Sequence, residues 1–317
     1  MPTAYSLIMI GKLIKFLVRR LMWGALVLFS VATLTFIAMK GVPGGPFDRE
    51  KNFPPAIKRN IEERYGLNLP WHQQYGRYIV GIAKGDLGPS LKYRSRRVND
   101  ILAETFPVSM ILGLLAFAFS VTIGVSAGTW AGLRPGRAAD KVGMLIATLG
   151  ISTPNFVLGT LLILLFAFYW RLFPPALWEG SFSMVLPAIT LGFGPAAYIA
   201  RLTRSSVIDV AQLPHVTAAR AKGLPPRSVV SKHILRSAIV PVVTILGPLL
   251  AALVTGSFVV EYMFAIPGMG KYFITAVTDR DYPLIMGVTL TYSALIVAAN
   301  IVVDLLYGIL DPRVSVE

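Results

Sequence analysis

TAARAKGLPPRSVVSKHILRSAIVP, residues 217–241, carries Arg220, Lys222, Arg227, Lys232 and Arg236 and no acidic residue. It is polar and basic, yet apolar runs of membrane length flank it on both sides. Its first part, AARAK, is a short Ala-rich turn of helix that stops at Gly223, the residue type that most easily takes the left-handed conformation ending a helix. Leu224-Pro225-Pro226 follows, and proline cannot continue that helix. SVVSKHILRSAIVP then places Val229, Val230, His233, Ile234 and Ser237 near one face at helical spacing. A short helix, a hard corner and a second helix between two spans have the shape of a docking element on the cytoplasmic side. A β-carbon and added bulk at Gly223 are expected to collide at that corner.

The composition outside this stretch sets the class. The chain has 317 residues, 55% of them hydrophobic and 15% charged, with a mean hydropathy of +0.64. A soluble domain exposes more charge than this. The apolar residues come in runs of about 20, the length that crosses a bilayer core as a helix. They are continuous rather than alternating, which excludes spanning strands. The reading is an all-α integral membrane protein with six transmembrane helices. The first is residues 21–39, preceded by an amphipathic amino-terminal segment 1–20. The other five are about 108–131, 143–169, 184–200, 239–260 and 284–306. The run 21–39 is too long for a signal-peptide core, and no small-residue cleavage site ends it.

Residues 40–104 differ in kind, holding twelve of the thirty Lys and Arg along with several Pro and Gly. They read as a folded extramembrane insert, with PPAIKRNIEERYGL as one surface helix and WHQQYGRYIVGIAKG as a second with an aromatic face. Orientation follows from the short loops. With the amino terminus inside, the inner segments 1–20, 134–141, 201–236 and the tail 309–317 carry fifteen Lys and Arg, against three on the short outer loops. That bias places both termini in the cytoplasm and the insert 40–104 outside. The formal charge of +14 then belongs to cytoplasmic loops and anionic headgroups rather than to nucleic acid.

Catalytic and metal-binding patterns are missing. There is no cysteine, so no thiolate nucleophile or thiolate metal site. His72, His215 and His233 have no His or acid partner at ligand spacing. No HExxH, GxSxG or phosphate-cradling Gly-Lys-Ser/Thr loop occurs, and the glycine spacing in AIPGMGK is a loop signal. Any ATP site is expected on another chain. Asp304 and Asn300 lie near the inner end of the last run and read as interior packing, since one acid near a helix end is a poor ion pathway. Pro154 and Asn155 open the third run in apolar surroundings, and Gly192, Gly194 and Pro195 punctuate the fourth. Small residues and helix breakers allow close helix contact or local backbone opening along a cavity. Pro154, Asn155, Gly192 and Gly194 are therefore candidate path-lining positions, with plain packing as the alternative.

On this topology, eight stretches resemble the permease subunits of binding-protein-dependent ABC importers of the dipeptide/oligopeptide/nickel type. They are GDLGPSL at 85–91, ISTPNF at 151–156, LPAITLG at 186–192, IARLTRSSV at 199–207, HVTAARAKGL at 215–224, PGMGKYF at 267–273, RDYPLIMG at 280–287 and NIVVDLLYGILDPRV at 300–314. The resemblance implies a type-1 ABC importer permease fold, with the permease domain at 105–308, in a bacterial or archaeal plasma membrane. It implies that Thr217, Ala218, Ala219, Arg220, Lys222, Gly223 and Arg236 belong to an ATPase-coupling loop. Thr217 stands where the broader importer motif has Glu, and Arg236 where it has Pro, departures that fit the peptide/nickel branch. The implied partners are a second homologous permease, two ABC ATPase subunits carrying ATP and Mg, an extracytoplasmic solute-binding protein and the lipid bilayer. Neither a cofactor nor a metal is expected on this chain. Within the branch, di- or oligopeptides are the expected substrate, with nickel, glutathione or oligosaccharides as alternatives. A membrane scaffold and an integral-membrane enzyme are the competing classes.

Overall fold

The computed structural model describes residues 4–42, 59–60, 62–63, 66–93 and 95–310, with side chains described from Lys15 to Val302. The described residues contain no strand, only one isolated bridge between Pro89 and Arg97. The chain divides into two compact units, residues 1–106 with 272–317, and residues 107–271.

In the first unit, α1 (Ala4–Gly41) packs against α12 (Tyr282–Leu310). Gly24 permits the approach, because a Cβ there would stand 2.7 Å from Val297 Cγ1. The other faces of α1 expose Leu26, Phe29, Leu34 and Ile37, as suits a helix bathed in lipid. The amino-terminal segment and the first span are one helix rather than two segments. Within the insert, α2 (Trp71–Ala83) brings its aromatic face to α1. Phe36 meets Tyr75 edge-on at 5.3 Å and stacks with Tyr78 at 6.1 Å. The Thr33 and Tyr75 hydroxyls are 2.7 Å apart, and Lys40 Nζ donates to Gln74 Oε1 at 2.5 Å. Burial pushes the Tyr78 hydroxyl up to about 12. The surface helix expected over PPAIKRNIEERYGL falls mostly outside the described residues, as do the Asp304 side chain and most of the tail.

The second unit is built on α3 (Val98–Gly132), whose part from Pro107 onward belongs here, together with α4 (Ala138–Ser152), α5 (Asn155–Tyr169) and α6 (Val185–Ala211). VTIGVSAGTWAG, residues 121–132, repeats glycine every fourth residue, which puts Gly124, Gly128 and Gly132 in one row along α3. A Cβ on Gly124 would fall 2.6 Å from Ile199 Cβ, one on Gly128 2.6 Å from Thr203 Cβ, and one on Gly132 2.8 Å from Val207 Cβ. In a bilayer, where apolar surface gains nothing by leaving lipid, backbone approach of this kind is what holds helices together. The seam continues upward at Ser120, whose hydroxyl donates to the Gly192 carbonyl at 2.8 Å. Leu112, Ala116, Leu186, Leu191, Leu253, Val260, Phe264 and Ile266 form a buried cluster in the same unit.

Three of the expected spans differ from their expected course. The run 143–169 is two helices, α4 and α5, bent by 115° at Thr153-Pro154. Pro154 has no N–H to continue the ladder and biases Thr153 to extended backbone, and Thr153 is extended at ψ 122°. The run 239–260 ends early. Here α9 (Val240–Val254) stops before Thr255-Gly256-Ser257, with Gly256 at φ +86°, and α10 (Phe258–Met263) starts afresh with Ser257 as its cap. The run 184–200 goes further than its apolar part, since α6 continues to Ala211. Among the described residues, four helices are long and apolar enough to cross a membrane, and two bent pairs, Ala138–Ser152 with Asn155–Tyr169 and Pro226–Ala238 with Val240–Val254, pass the same test jointly.

Candidate functional site

The basic stretch at 217–241 folds as a braced corner. Beyond α6 the chain turns through Gln212-Leu213 into α7 (Pro214–Ala221), with Pro214 in the first turn, where its missing N–H costs nothing. Gly223, at φ +72°, ends the helix. Its N–H bonds the Arg220 carbonyl at 3.0 Å, and the Leu224 N–H bonds that of Ala219 at 3.4 Å, the two bonds of a Schellman cap. Among the described residues, and apart from Gly223 and its two chain neighbours, no atom lies within 4 Å of where a Gly223 Cβ would stand. The expected collision is therefore absent within the chain, and the requirement for glycine at this corner is conformational.

Pro225 and Pro226 then open α8 (Pro226–Ala238). Its buried residues are Val229, Ile234 and Ala238, which close on Val207 of α6 and on Val216 and Ala219 of α7. The five-residue step from Val229 to Ile234 is a π-helical turn. It shifts the inward face by one residue, so Ala238 is buried and Ser237 exposed, contrary to simple 3.6-residue spacing. His215 Nε2 lies 3.3 Å from the His233 carbonyl, a further tie between α7 and α8.

The residues expected to form a coupling loop divide by face. Ala219 turns inward, 4% exposed. Thr217, Ala218, Arg220, Lys222, Gly223 and Arg236 are exposed. The element thus has its own small apolar core and an outward surface that is cationic and small-residue. Near its root, Arg204 of α6 grips Asp140 in the first turn of α4, Nε to Oδ1 at 2.5 Å and Nη2 to Oδ2 at 2.8 Å. The Gly136 N–H donates to the same carboxylate at 2.8 Å. The fork geometry fixes the 134–141 loop to α6.

Of the other candidate positions, Pro154 is exposed and Asn155 half-buried at the bend between α4 and α5. Gly194 is half-buried, with its Cβ direction 3.7 Å from the Gly150 carbonyl. Gly192 lies in the α3–α6 seam, where a Cβ would stand 2.6 Å from the Ala116 carbonyl oxygen.

A residue not singled out in the sequence, Glu261, organises the PGMG loop. It is fully buried and accepts from the Gly270 N–H at 2.7 Å, with Ser109 and the Lys271 N–H adding to the same carboxyl. The Met269 N–H donates to Ser109 Oγ at 2.9 Å. These N–H groups are the first turn of α11 (Met269–Asp279), so the carboxyl caps a helix end that would otherwise be unsatisfied. Burial raises its pKa, and the hydrogen bonds oppose that rise. The readable signal was one acid six residues before a Pro-Gly-x-Gly turn. Among the described residues no cluster of three His, Cys, Asp or Glu could hold a metal ion.

Long apolar helices, a small-residue seam and a braced polar corner between two of them define a multi-pass α-helical membrane protein. The chain belongs to a family of membrane transport components. Residues 120–316 match the binding-protein-dependent transport system inner membrane component family, and residues 13–113 match the amino-terminal domain of such components. The dipeptide transport system permease protein DppB of Bacillus subtilis is 46% identical over 303 residues, 96% of this chain and 98% of its own length. The oligopeptide transport system permease protein OppB is 41% identical in Haemophilus influenzae and 39% in Escherichia coli K12, each over 95% of this chain and 99% of the relative. Among solved structures, an amino acid ABC transporter chain shares the fold at a TM-score of 0.51 and 16% identity, covering 66% of this chain and 93% of that one.

Proposed function

We propose that this chain is the permease subunit of an ATP-driven importer for di- or oligopeptides, crossing the membrane six times with both termini in the cytoplasm. The bent pairs α4–α5 and α8–α9 each count as one span in this reading. A second homologous permease completes the translocation path, two ATPase subunits carrying ATP and Mg sit on the cytoplasmic side, and an extracytoplasmic binding protein delivers the substrate. The substrate class rests on the names of the relatives. Nickel, glutathione and oligosaccharide import are the alternatives within the branch.

One observation carries the coupling role: α7 stands on its own buried cluster and keeps its outward face free of the other described residues. Thr217, Ala218, Arg220, Lys222 and Gly223 present that face to an ATPase groove, while Ala219 supports it from behind. Arg236 extends the cationic surface along α8. Closure of the ATPases then moves α7 and α8 as one body, and the spans they continue into, α6 and α9, tilt with it. Pro154, Asn155 and Gly194, at or beside the bend, are the proposed path-lining positions, and Gly192 contributes through the seam.

The chain has no cysteine, so single cysteines can be placed without background. Ala218→Cys should cross-link to a cysteine in the ATPase groove, with a yield that changes on ATP binding, and Ala219→Cys should not. Equal labelling of both, or of neither, would contradict the proposed orientation of α7.

A further inference from the structure

Two motifs that the coupling role leaves unused, GDLGPSL and RDYPLIMG, meet in the first unit at one buried carboxylate. Asp281 is 1% exposed. It accepts from the Leu284 N–H at 3.3 Å, capping the first turn of α12. The same carboxylate accepts from the Leu91 N–H at 3.1 Å and the Lys92 N–H at 3.2 Å, and the Ser90 hydroxyl donates to Oδ2. A helix cap needs only the first of these bonds. The other three come from a segment about 190 residues earlier in the chain.

That segment is a tight hairpin. The Ser90 N–H bonds the Arg96 carbonyl at 3.0 Å, and the Val98 N–H bonds that of Gly88 at 2.9 Å. Asn99 closes its base by accepting from the Leu87 N–H at 2.9 Å and donating to the Gly85 carbonyl at 2.7 Å. A second tie lies further along α12. A Cβ on Gly287 would clash with Val98 Cγ1 and stand 3.5 Å from Leu87 Cδ1, so the hairpin base seats against the helix. The hairpin is fixed to α12 at two points, while Lys92 and Arg97 keep their side chains 45% and 66% exposed. An α-helix of 29 residues transmits a displacement over about 40 Å.

We infer that Asp281 is a positioning residue that transmits docking of the binding protein on the outer insert to the last span. The inference rests on the importer reading. Docking moves the hairpin, the four bonds on Asp281 carry that motion to the start of α12, and α12 repositions in the membrane. Loss of the carboxylate leaves the docking surface in place but disconnects it from the helix.

The test uses the complete permease–ATPase complex in lipid vesicles and compares wild type with Asp281→Ala, Asp281→Asn and Ser90→Ala. It measures basal ATPase rate, maximal rate with peptide-loaded binding protein, the half-saturating binding-protein concentration and thermal midpoint. In Asp281→Ala, maximal stimulation should fall by a factor between about 5 and 150, the range of ordinary coupling between sites. Basal rate and half-saturation should stay near wild type, while the midpoint falls because four donors lose their acceptor. Asp281→Asn, which keeps one acceptor oxygen, should be intermediate, and Ser90→Ala milder still. Undiminished stimulation in all three variants overturns the inference. Parallel loss of basal rate and stimulation also overturns it, since the role is then structural. If Asp281→Ala does not assemble, the same split in Ser90→Ala decides. Absence of stimulation in the wild type would instead contradict the importer reading itself.

Discussion

Replacing Gly223 separates two explanations of the corner between α7 and α8. With φ at +72° and nothing within 4 Å of the Cβ position, size alone carries no penalty inside the chain. An L-residue in the left-handed region pays about 1–2 kcal/mol, which at ~1.4 kcal/mol per tenfold is a factor of about 5–30. Asparagine visits this region far more readily than alanine, through hydrogen bonds of its own side chain. Valine, branched at Cβ, visits it least. The expected order of function is Gly, then Asn, then Ala, then Val, although Asn is bulkier than Ala. The assay is peptide uptake per ATP hydrolysed by the reconstituted complex, with membrane insertion checked separately. Gly223→Ala should lose coupled uptake by about 5- to 30-fold while remaining inserted. An order that follows side-chain volume, with Asn as damaging as Val and Ala harmless, would refute the conformational account and point to crowding by the partner.

Other substitutions test the frame that holds this corner. Gly128→Ala puts a methyl 2.6 Å from Thr203 Cβ, which forces α3 and α6 apart and should cost about 1–3 kcal/mol. Gly143→Ala in α4, with open space around it, should be neutral or raise the thermal midpoint, so equal effects of the two would contradict the seam. Asp140→Ala leaves the partly exposed Arg204 without its forked partner and should destabilise the protein by about 1.5–3 kcal/mol, the range for hydrogen bonds to a charged group. Adding Arg204→Met should recover part of that loss, as thermal melts of the single and double variants would reveal. Glu261→Gln keeps an acceptor for the Gly270 N–H and suits a site where burial favours the neutral acid, so its midpoint should stay near wild type. Glu261→Ala should lower it by the roughly 1–3 kcal/mol of an unsatisfied buried donor.

Apolar run length gave the class directly, because a bilayer leaves a helix no other way to satisfy its backbone. The corner at 217–241 was also legible, since Gly and Pro act through local backbone geometry. Helix ends were less so. The polar continuation of α6 to Ala211 has no hydropathy signal, and the break at Gly256 lies inside an apolar run. Pro154 was visible as a breaker, but proline can kink or end a helix, and only the packing of α4 and α5 on α6 fixes a 115° bend. The π turn in α8 moved one residue out of the core and another in, a one-residue shift that a fixed 3.6-residue period misses. The buried carboxylates of Glu261 and Asp281 gave no periodic signal. Each is made useful by donors that the fold brings to it, and for Asp281 those donors lie far away in sequence.

The measurement that bears most directly on the account is ATP hydrolysis by the co-expressed complex in lipid vesicles, with the binding protein and a panel of di-, tri- and longer peptides, nickel, glutathione and oligosaccharides. ATPase subunits should co-purify with this chain, and hydrolysis should rise with peptide-loaded binding protein, with little response to the other ligands. A chain that assembles with no ATPase, or a complex whose hydrolysis ignores every ligand, would contradict the importer reading and favour a membrane scaffold.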